Sequence, residues 1–506
     1  MRTKSTILNS LFSFCSAILL AIMSLILRKI FTHNLSIEYL GYEGLFTNIF
    51  TLLSLAELGF ETIVMYRLME AFGNNKLSEF AYFINIYRVI YEIVGLVVLV
   101  IGILLIPFLK VIITDNSLNW NDIYIIYFIQ LSTVLCSYLL AYKRIVYVVA
   151  QQQYKIIKID FPVGVVSFII RLLSIILLKS YFIYLLVSLV QNIVSNIIVS
   201  IKTDKDFHYI FEKKRVSISE LKDTGILKDL KNVMVSKFAG VIYGGTDNIV
   251  VSIFLGITNV ALLGNYQLIV NYIQIFVNSI LYPFQASIGD LLNKDYEKGQ
   301  KMFEMFDLIM FAIASIIALC TYSVLNRFII LWLGEDYVFS KGFVILFALN
   351  LYIGLNQQFL LYYRNTFGSY DIDKWFIVLG ALVNVVVSVF LARVLGIVGI
   401  ILGTLIGNVG FWFGRARAVF QVCLKESLLK YFVRQMYQII LVLFEIVIIY
   451  KMNNMIFGGI GGFVISLLIG ILIPIIISIL VIMLSKERYL VMKYLVQIFH
   501  FNFKDI

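Results

Sequence analysis

The chain has 506 residues, 61% of them apolar and 14% charged, with a mean hydropathy of +0.94 and a formal net charge of +11. A water-soluble domain is about half apolar and about a quarter charged, so this chain has too little polar surface to cover a globule in water, and a soluble enzyme is excluded. Aromatic residues at 15% exclude disorder, and long continuous apolar runs, in place of ten-residue alternation, exclude a β-barrel.

A helix that crosses a bilayer needs about 20 apolar residues. In chain order the runs predict fourteen spans: 7–27, 41–66, 82–108, 122–142, 156–178, 181–201, 233–255, 262–283, 303–325, 342–363, 375–393, 397–414, 435–451 and 456–484. The first, Ile7 to Leu27, is too long for a signal-peptide core and has no small-x-small cleavage site before the next span. The fifth and sixth are separated only by Lys179-Ser180. With the N-terminus inside, the inner loops carry 30 Lys/Arg and the outer loops 8, Arg28 and Lys29 among them. Cytoplasmic loops carry the positive excess, so both termini are predicted to be cytoplasmic. The same excess does not point to a nucleic-acid site.

The longest loop, 202–232, holds eight Lys/Arg, with six spans before it and eight after. The predicted organisation is an N-terminal six-helix bundle (1–201), a basic cytoplasmic linker (202–232), a second six-helix bundle (233–420), and two further helices with a tail (421–506). A short repeat agrees with this. Leu40-Gly41-x-x-x-Leu45-x-x-Asn48 recurs as Leu263-Gly264-x-x-x-Leu268-x-x-Asn271, offset by 223 residues, at the outer end of the second helix of each half.

Catalytic signatures are missing from the sequence. There is no GxxxxGK(S/T) phosphate loop. His33, His208 and His500 are dispersed, and Cys15, Cys136, Cys320 and Cys423 form no close pair, so neither a metal site nor a disulfide framework is expected. Asp204-x-Asp206 and Asp371-x-Asp373 lie in short basic loops and read as solvated. Gly399, Gly403 and Gly407 form a small-x-x-x-small stripe suited to close helix packing. Gly458-Gly459-Ile460-Gly461-Gly462 reads as a flexible turn.

The informative residues are charges inside apolar spans, where each costs about 2.5–3.5 kcal/mol on insertion scales. They are Glu43, Glu57, Glu61, Arg88, Glu92, Asp160, Arg171, Lys237, Asp247, Asp307 and Glu445. Glu57 and Glu61 share a helix face at i,i+4, as do Arg88 and Glu92. Two readings of Arg88 stand: a structural ion pair with Glu92, or a cation on a hydrophilic path with Glu57 and Asp247. Asp247 follows Gly244-Gly245-Thr246, a glycine pair able to loosen the helix beside a cavity.

Three stretches, in the same order, resemble bacterial polysaccharide-repeat-unit flippases of the Wzx type, members of the multidrug/oligosaccharidyl-lipid/polysaccharide exporter superfamily. They are Leu55-Ala56-Glu57-Leu58-Gly59-Phe60-Glu61-Thr62 with Arg67 and Lys76; Gly245-Thr246-Asp247-Asn248-Ile249-Val250-Val251 with Leu263-Gly264-Asn265-Tyr266; and Arg364-Asn365-Thr366-Phe367-Gly368 with Asp371 and Asp373-Lys374. The family pattern has a small residue where this chain has Glu61.

The resemblance implies an all-α membrane fold of about 14 helices, two six-helix bundles in a V around a central cavity plus two C-terminal helices. It implies an undecaprenyl-diphosphate-linked oligosaccharide as substrate, in the bacterial cytoplasmic membrane, with the polysaccharide polymerase and chain-length machinery as possible partners. No bound cofactor is implied. A diphosphate needs a cation and its sugars need hydrogen-bond partners. On that reading Arg88, Lys237 and Arg171 would meet the diphosphate, and Asn48, Asn248, Asn271 and Gln274 the sugars. Glu57, Glu61 and Asp247 would be the cavity acids, binding a coupling H⁺ or Na⁺ or neutralising the basic residues. The rivals are an ion-coupled drug antiporter of the same fold and a membrane polymerase or glycosyltransferase. The short outer loops argue against the enzyme.

Overall fold

An apolar segment in lipid has no water to receive its peptide groups, so each N–H and C=O must be satisfied within the segment, which a helix does. The computed structural model describes residues 2–54, 60–114, 118–208, 238–294, 296–367 and 370–492. All regular structure in them is helical, and thirteen helices are long and apolar enough to cross a membrane. The chain is therefore an all-α, multi-pass membrane protein. The thirteen follow the expected runs except 41–66, which contains the undescribed residues 55–59. Also outside the described residues are Lys237, most of the basic linker, and the C-terminal tail with His500; the side chains of Cys15, Asp371 and Cys423 are not described either.

The chain divides into two compact units, residues 1–280 and 281–506. Unit one contains α1 (Arg2–Asn34), α2 (Glu38–Leu53), α3 (Phe60–Gly73), α4 (Leu77–Leu105), α5 (Trp120–Ala141), α6 (Arg144–Val149), α7 (Tyr154–Ile176), α8 (Tyr181–Asp206), α9 (Asp247–Leu255) and most of α10 (Ile257–Lys294). The narrow break between α7 and α8 is real. Lys179 takes a left-handed φ of 47°, and the Ser180 hydroxyl accepts from the Ile183 N–H as a helix cap. α8 packs on α5 and α7, and α1 packs on α7.

The end of α8 departs from the sequence reading. Asp204 and Asp206 are in helix, not in a solvated loop. Lys143 Nζ reaches Asp204 at 2.6 Å, and Lys155 Nζ and the Tyr147 hydroxyl both donate to Asp206 at 2.9 Å. Burial, and then this bond to Asp206, raise the Tyr147 hydroxyl above the ordinary phenol range.

Unit two contains α11 (Tyr296–Trp332), α12 (Lys341–Asn356), α13 (Gln358–Phe367), α14 (Tyr370–Leu395), α15 (Ile397–Ala418), α16 (Leu428–Asn453) and α17 (Gly459–Leu484). α14 and α15 form a hairpin turned by Gly396 alone. Its φ of 60° with ψ of −135° is open to glycine and strained for other residues. The glycine stripe makes the hairpin close. A Cβ at Gly399 would strike the Leu391 carbonyl, at Gly403 the Ser388 hydroxyl and backbone, and at Gly407 the Gly380 carbonyl. Beside it, Arg364 and Asp373 form a buried pair, with Nη2 to Oδ1 at 2.8 Å and side chains 7% and 0% exposed.

Gly403→Leu should therefore lower the thermal midpoint in detergent, since overpacking costs about 1–3 kcal/mol or more. Gly240→Ala, where a Cβ meets nothing within 4 Å, should leave it nearly unchanged. Equal midpoints for the two variants would contradict the tight hairpin.

Candidate functional site

Residues three, four, seven and eight apart share a helix face. On α10 that spacing puts Gly264, Gln267, Leu268, Asn271, Tyr272 and Ile275 on one wall of a cavity of about 530 Å³ in unit one. α1 adds Ser24 and Arg28, α2 adds Glu43, Thr47 and Asn48, α7 adds Arg171, α8 adds Tyr184, and α9 adds Asn248. Among the described residues the lining holds two guanidinium groups and one carboxylate, an excess of one positive charge, with amides and hydroxyls around them.

The charges are close enough to act on one another. Glu43 feels both Arg28 and Arg171. The Nε atoms of Arg28 and Arg171 are buried without a hydrogen-bond partner. Arg171 donates through Nη2 to Gln191 at 2.7 Å and stacks over the Tyr184 ring, 5.7 Å from its centroid. The Ser24 hydroxyl meets the Tyr272 hydroxyl at 2.7 Å, tying α1 to α10. A guanidinium is the side chain best shaped to grip a planar or tetrahedral oxyanion through paired donors.

The repeated LGxxxLxxN motif now has a local cause in each copy. A Cβ at Gly41 would collide with the Ile257 carbonyl, so that glycine lets α2 approach the start of α10. A Cβ at Gly264 would lie 3.3 Å from the Arg28 guanidinium, so that glycine makes room for the cation. The two motif asparagines, Asn48 and Asn271, both line the cavity.

A second cavity in unit one, of about 680 Å³, lies among α1, α5, α6, α7 and α8. Its centre is the Arg144–Asp160 pair, with Nη1 to Oδ2 at 2.8 Å and Nη2 to Oδ1 at 3.1 Å. Arg144 also donates to Asn196 and Ser195 at 2.8 Å, and Ser195 donates to Asp160. Arg171 lines both cavities.

Of the residues singled out in the sequence, Asn48, Asn248, Asn271 and Arg171 line the first cavity together. Gln274 does not line it, although it sits on the same helix. Asp247 is buried next to Asn248 but is not in the lining. Arg88 is not in it either. It donates to Glu92 at 3.0 Å, with side chains 33% and 41% exposed, and lies 5.7 Å from the Tyr142 ring centroid. Glu57 and Lys237 fall outside the described residues, as does the side chain of Glu61.

Arg28 and Gln267 were not among the expected binding residues. Arg28 follows the apolar run 7–27 directly and stands beside Lys29, so it counts as loop. The helix runs on to Asn34 and turns Arg28 inward. The available signal was the spacing: Ser24 and Arg28 are four apart.

No family model matches the chain, and no curated protein matches it. Solved structures do. The chain is similar to the lipid II flippase MurJ in an inward closed conformation, with a TM-score of 0.63 at 15% identity, over 95% of this chain and 99% of that one. It is similar to a multidrug resistance MATE transporter of the MOP superfamily in an inward-facing conformation, with a TM-score of 0.55 at 13% identity, over 81% and 98%. It is also similar to a mutant of the Vibrio cholerae MATE transporter VcmN, with a TM-score of 0.55 at 14% identity, over 84% and 98%. The chain shares its fold with these three structures. At these identities the likeness concerns the fold.

Asn271 is exposed on the wall of the first cavity. In a background with the native cysteines replaced, Asn271→Cys should react with a hydrophilic maleimide, and Ser315→Cys, fully buried in unit two, should not. Equal labelling of the two would mean that the cavity is not open to water.

Proposed function

We propose that the chain is a lipid-linked oligosaccharide flippase. It moves an undecaprenyl-diphosphate-linked repeat unit from the inner to the outer leaflet of a bacterial cytoplasmic membrane, by alternating access. The observation that carries this reading is the pair Arg28 and Arg171 facing one cavity with, among the described residues, a single carboxylate, Glu43, near both.

A lipid diphosphate has an apolar tail that bilayer receives at no cost and a charged, hydroxyl-rich head that bilayer rejects. Only the head needs the protein. The arginines supply paired N–H donors for phosphate oxygens, and Asn48, Asn248, Asn271 and Gln267 supply donors and acceptors for sugar hydroxyls. Glu43 balances one arginine while the cavity is empty. The fold shared with a lipid II flippase supports a lipid-linked substrate. Coupling by H⁺ or Na⁺ at Glu57, Glu61 or Asp247, a role for Arg88 and Lys237 along the path, and delivery to a polysaccharide polymerase with its chain-length partners are further parts of the proposal.

A drug antiporter of the same fold is the competing reading, supported by the MATE neighbours. Its usual cargo is cationic, and a cavity with an excess positive charge repels such cargo.

The test is flipping of a fluorescent lipid-diphosphate oligosaccharide in proteoliposomes. Losing a charge-assisted hydrogen bond costs about 1.5–3 kcal/mol, so Arg28→Gln and Arg171→Gln should each slow flipping by about ten- to a hundred-fold. Arg88→Ala separates the two readings of that residue: lost flipping puts it on the path, and unchanged flipping leaves it a structural pair with Glu92. Wild-type protein that moves no lipid-linked sugar, but expels a cationic dye along an ion gradient, would replace the flippase with the antiporter.

A further inference from the structure

Glu445 has no part in the transport scheme above. It lies within the apolar span of α16, in unit two, and is fully buried. The outer face of the same helix turns Leu443, Phe444 and Val447 outward, as a lipid-facing helix should. The inner face carries Gln435, Gln438 and Glu445, spaced three and seven apart, all with 1% exposure or less. Among the described residues neither carboxyl oxygen of Glu445 has a hydrogen-bond donor, and no cation pairs with it.

A leucine would fill this position at lower cost than an acid. A charged carboxylate with no protein donor and no cation beside it has little to offset its desolvation. An ionisable residue held in that setting inside a membrane segment marks function more often than packing.

The surroundings give the acid a connection. On α12, the Tyr352 hydroxyl is buried, has no hydrogen-bond partner, and lies within electrostatic reach of both Glu445 and Asp307. Asp307, on α11, is 3% exposed. It accepts from Gln435 (2.9 and 3.0 Å) and forms an ion pair with Arg434, Nε to Oδ2 at 3.0 Å. Arg434 in turn reaches Glu304 at 3.6 Å, as does the exposed Lys430. From α17 nothing titratable faces the stripe, because that helix has no such residue. The polar file runs from the Lys430 end of the bundle to Glu445, about 15 Å along α16 from Gln435.

We propose that Glu445 is a proton-binding site inside unit two, loaded and unloaded through Tyr352 and Asp307, and that its proton is coupled to transport. Only the coupling rests on the transport reading; the proton site stands without it. The step is a simple transfer. The Tyr352 side chain swings its hydroxyl into hydrogen-bond contact, and the carboxyl O–H of Glu445 breaks as its proton passes to that hydroxyl. The hydroxyl gives its own proton to the Asp307 carboxylate, and the proton leaves past Arg434 and Glu304 to water. The reverse path reloads the site.

The experiment uses the full chain in two measurements. Infrared spectroscopy of the reconstituted protein should show a protonated-carboxyl band that shifts in D₂O and is lost in Glu445→Gln. Tyr352→Phe should keep the band and slow its exchange with D₂O. A spectrum identical in wild type and Glu445→Gln overturns the proton site, and a band that never exchanges overturns its loading through the file.

In proteoliposomes, an imposed pH gradient should speed flipping of the fluorescent lipid-diphosphate oligosaccharide several-fold in wild type. It should have no effect in Glu445→Gln, which still flips without a gradient. A variant that keeps the gradient response overturns the coupling. If wild type moves no lipid-linked sugar, the flippase reading fails, and the infrared band, which needs no substrate, still decides the proton site.

Discussion

Desolvation of charge is the constraint on which the rest of the structure depends. In a bundle of this hydropathy a charged side chain must meet an opposite charge, a set of hydrogen bonds, or water in a cavity. The molecule uses all three. Arg364 is buried against Asp373. Arg144 is held by a carboxylate, an amide and a hydroxyl at once. Arg28 and Arg171 face an open cavity with Glu43. The first two arrangements pair each cation with its own carboxylate, so their groups hold helices together and offer a ligand little. The third is incomplete, with a guanidinium nitrogen unpartnered on each arginine, and incompleteness is what a ligand can use.

The sequence exposes the helices more readily than the site, and the reason is physical. A span is announced by some twenty apolar residues in a row, a signal that survives an error of several residues at either end. The break at Lys179-Ser180 and the stripe Gly399, Gly403, Gly407 are legible for the same reason: each is local, and each acts on its own helix or the next one. A cavity is assembled from helices far apart in the chain, and periodicity within one helix does not tell which face meets which neighbour. Asn48 and Asn271 could be paired through their repeat. Arg28 could not, because an arginine at the end of an apolar run looks like a loop residue until the helix is seen to continue to Asn34. Asp204 and Asp206 misled in the same way: polar and near a basic loop, they are in fact anchors for Lys143, Lys155 and Tyr147.

Small residues set the geometry that charges then exploit. Without Gly41 the start of α10 would stand farther from α2, and without Gly264 the Arg28 guanidinium would be crowded from the wall it occupies. The motif that looks like a remnant of duplication thus does two different jobs in its two copies. One glycine admits a backbone carbonyl and the other admits a cation. What the two copies share is the absence of a side chain, and the neighbour that fills the space differs.

The balance of charge in the first cavity also bears on turnover. Two arginines without an acid would hold a diphosphate tightly, and a transporter that binds too tightly does not release. On the proposed reading Glu43, close to both cations, is attracted to them when the cavity is empty and would repel a diphosphate when it is full. The carboxylate therefore lowers the free energy of the empty state and raises that of the loaded one, which narrows the gap between them. A cavity of opposed charges is suited to carrying an anion through and letting it go, whereas a purely cationic one is suited to keeping it. Arg171 strengthens the point, since Nη2 is already held by Gln191 and Nη1 by Ser188, which leaves only part of its donor set for a ligand.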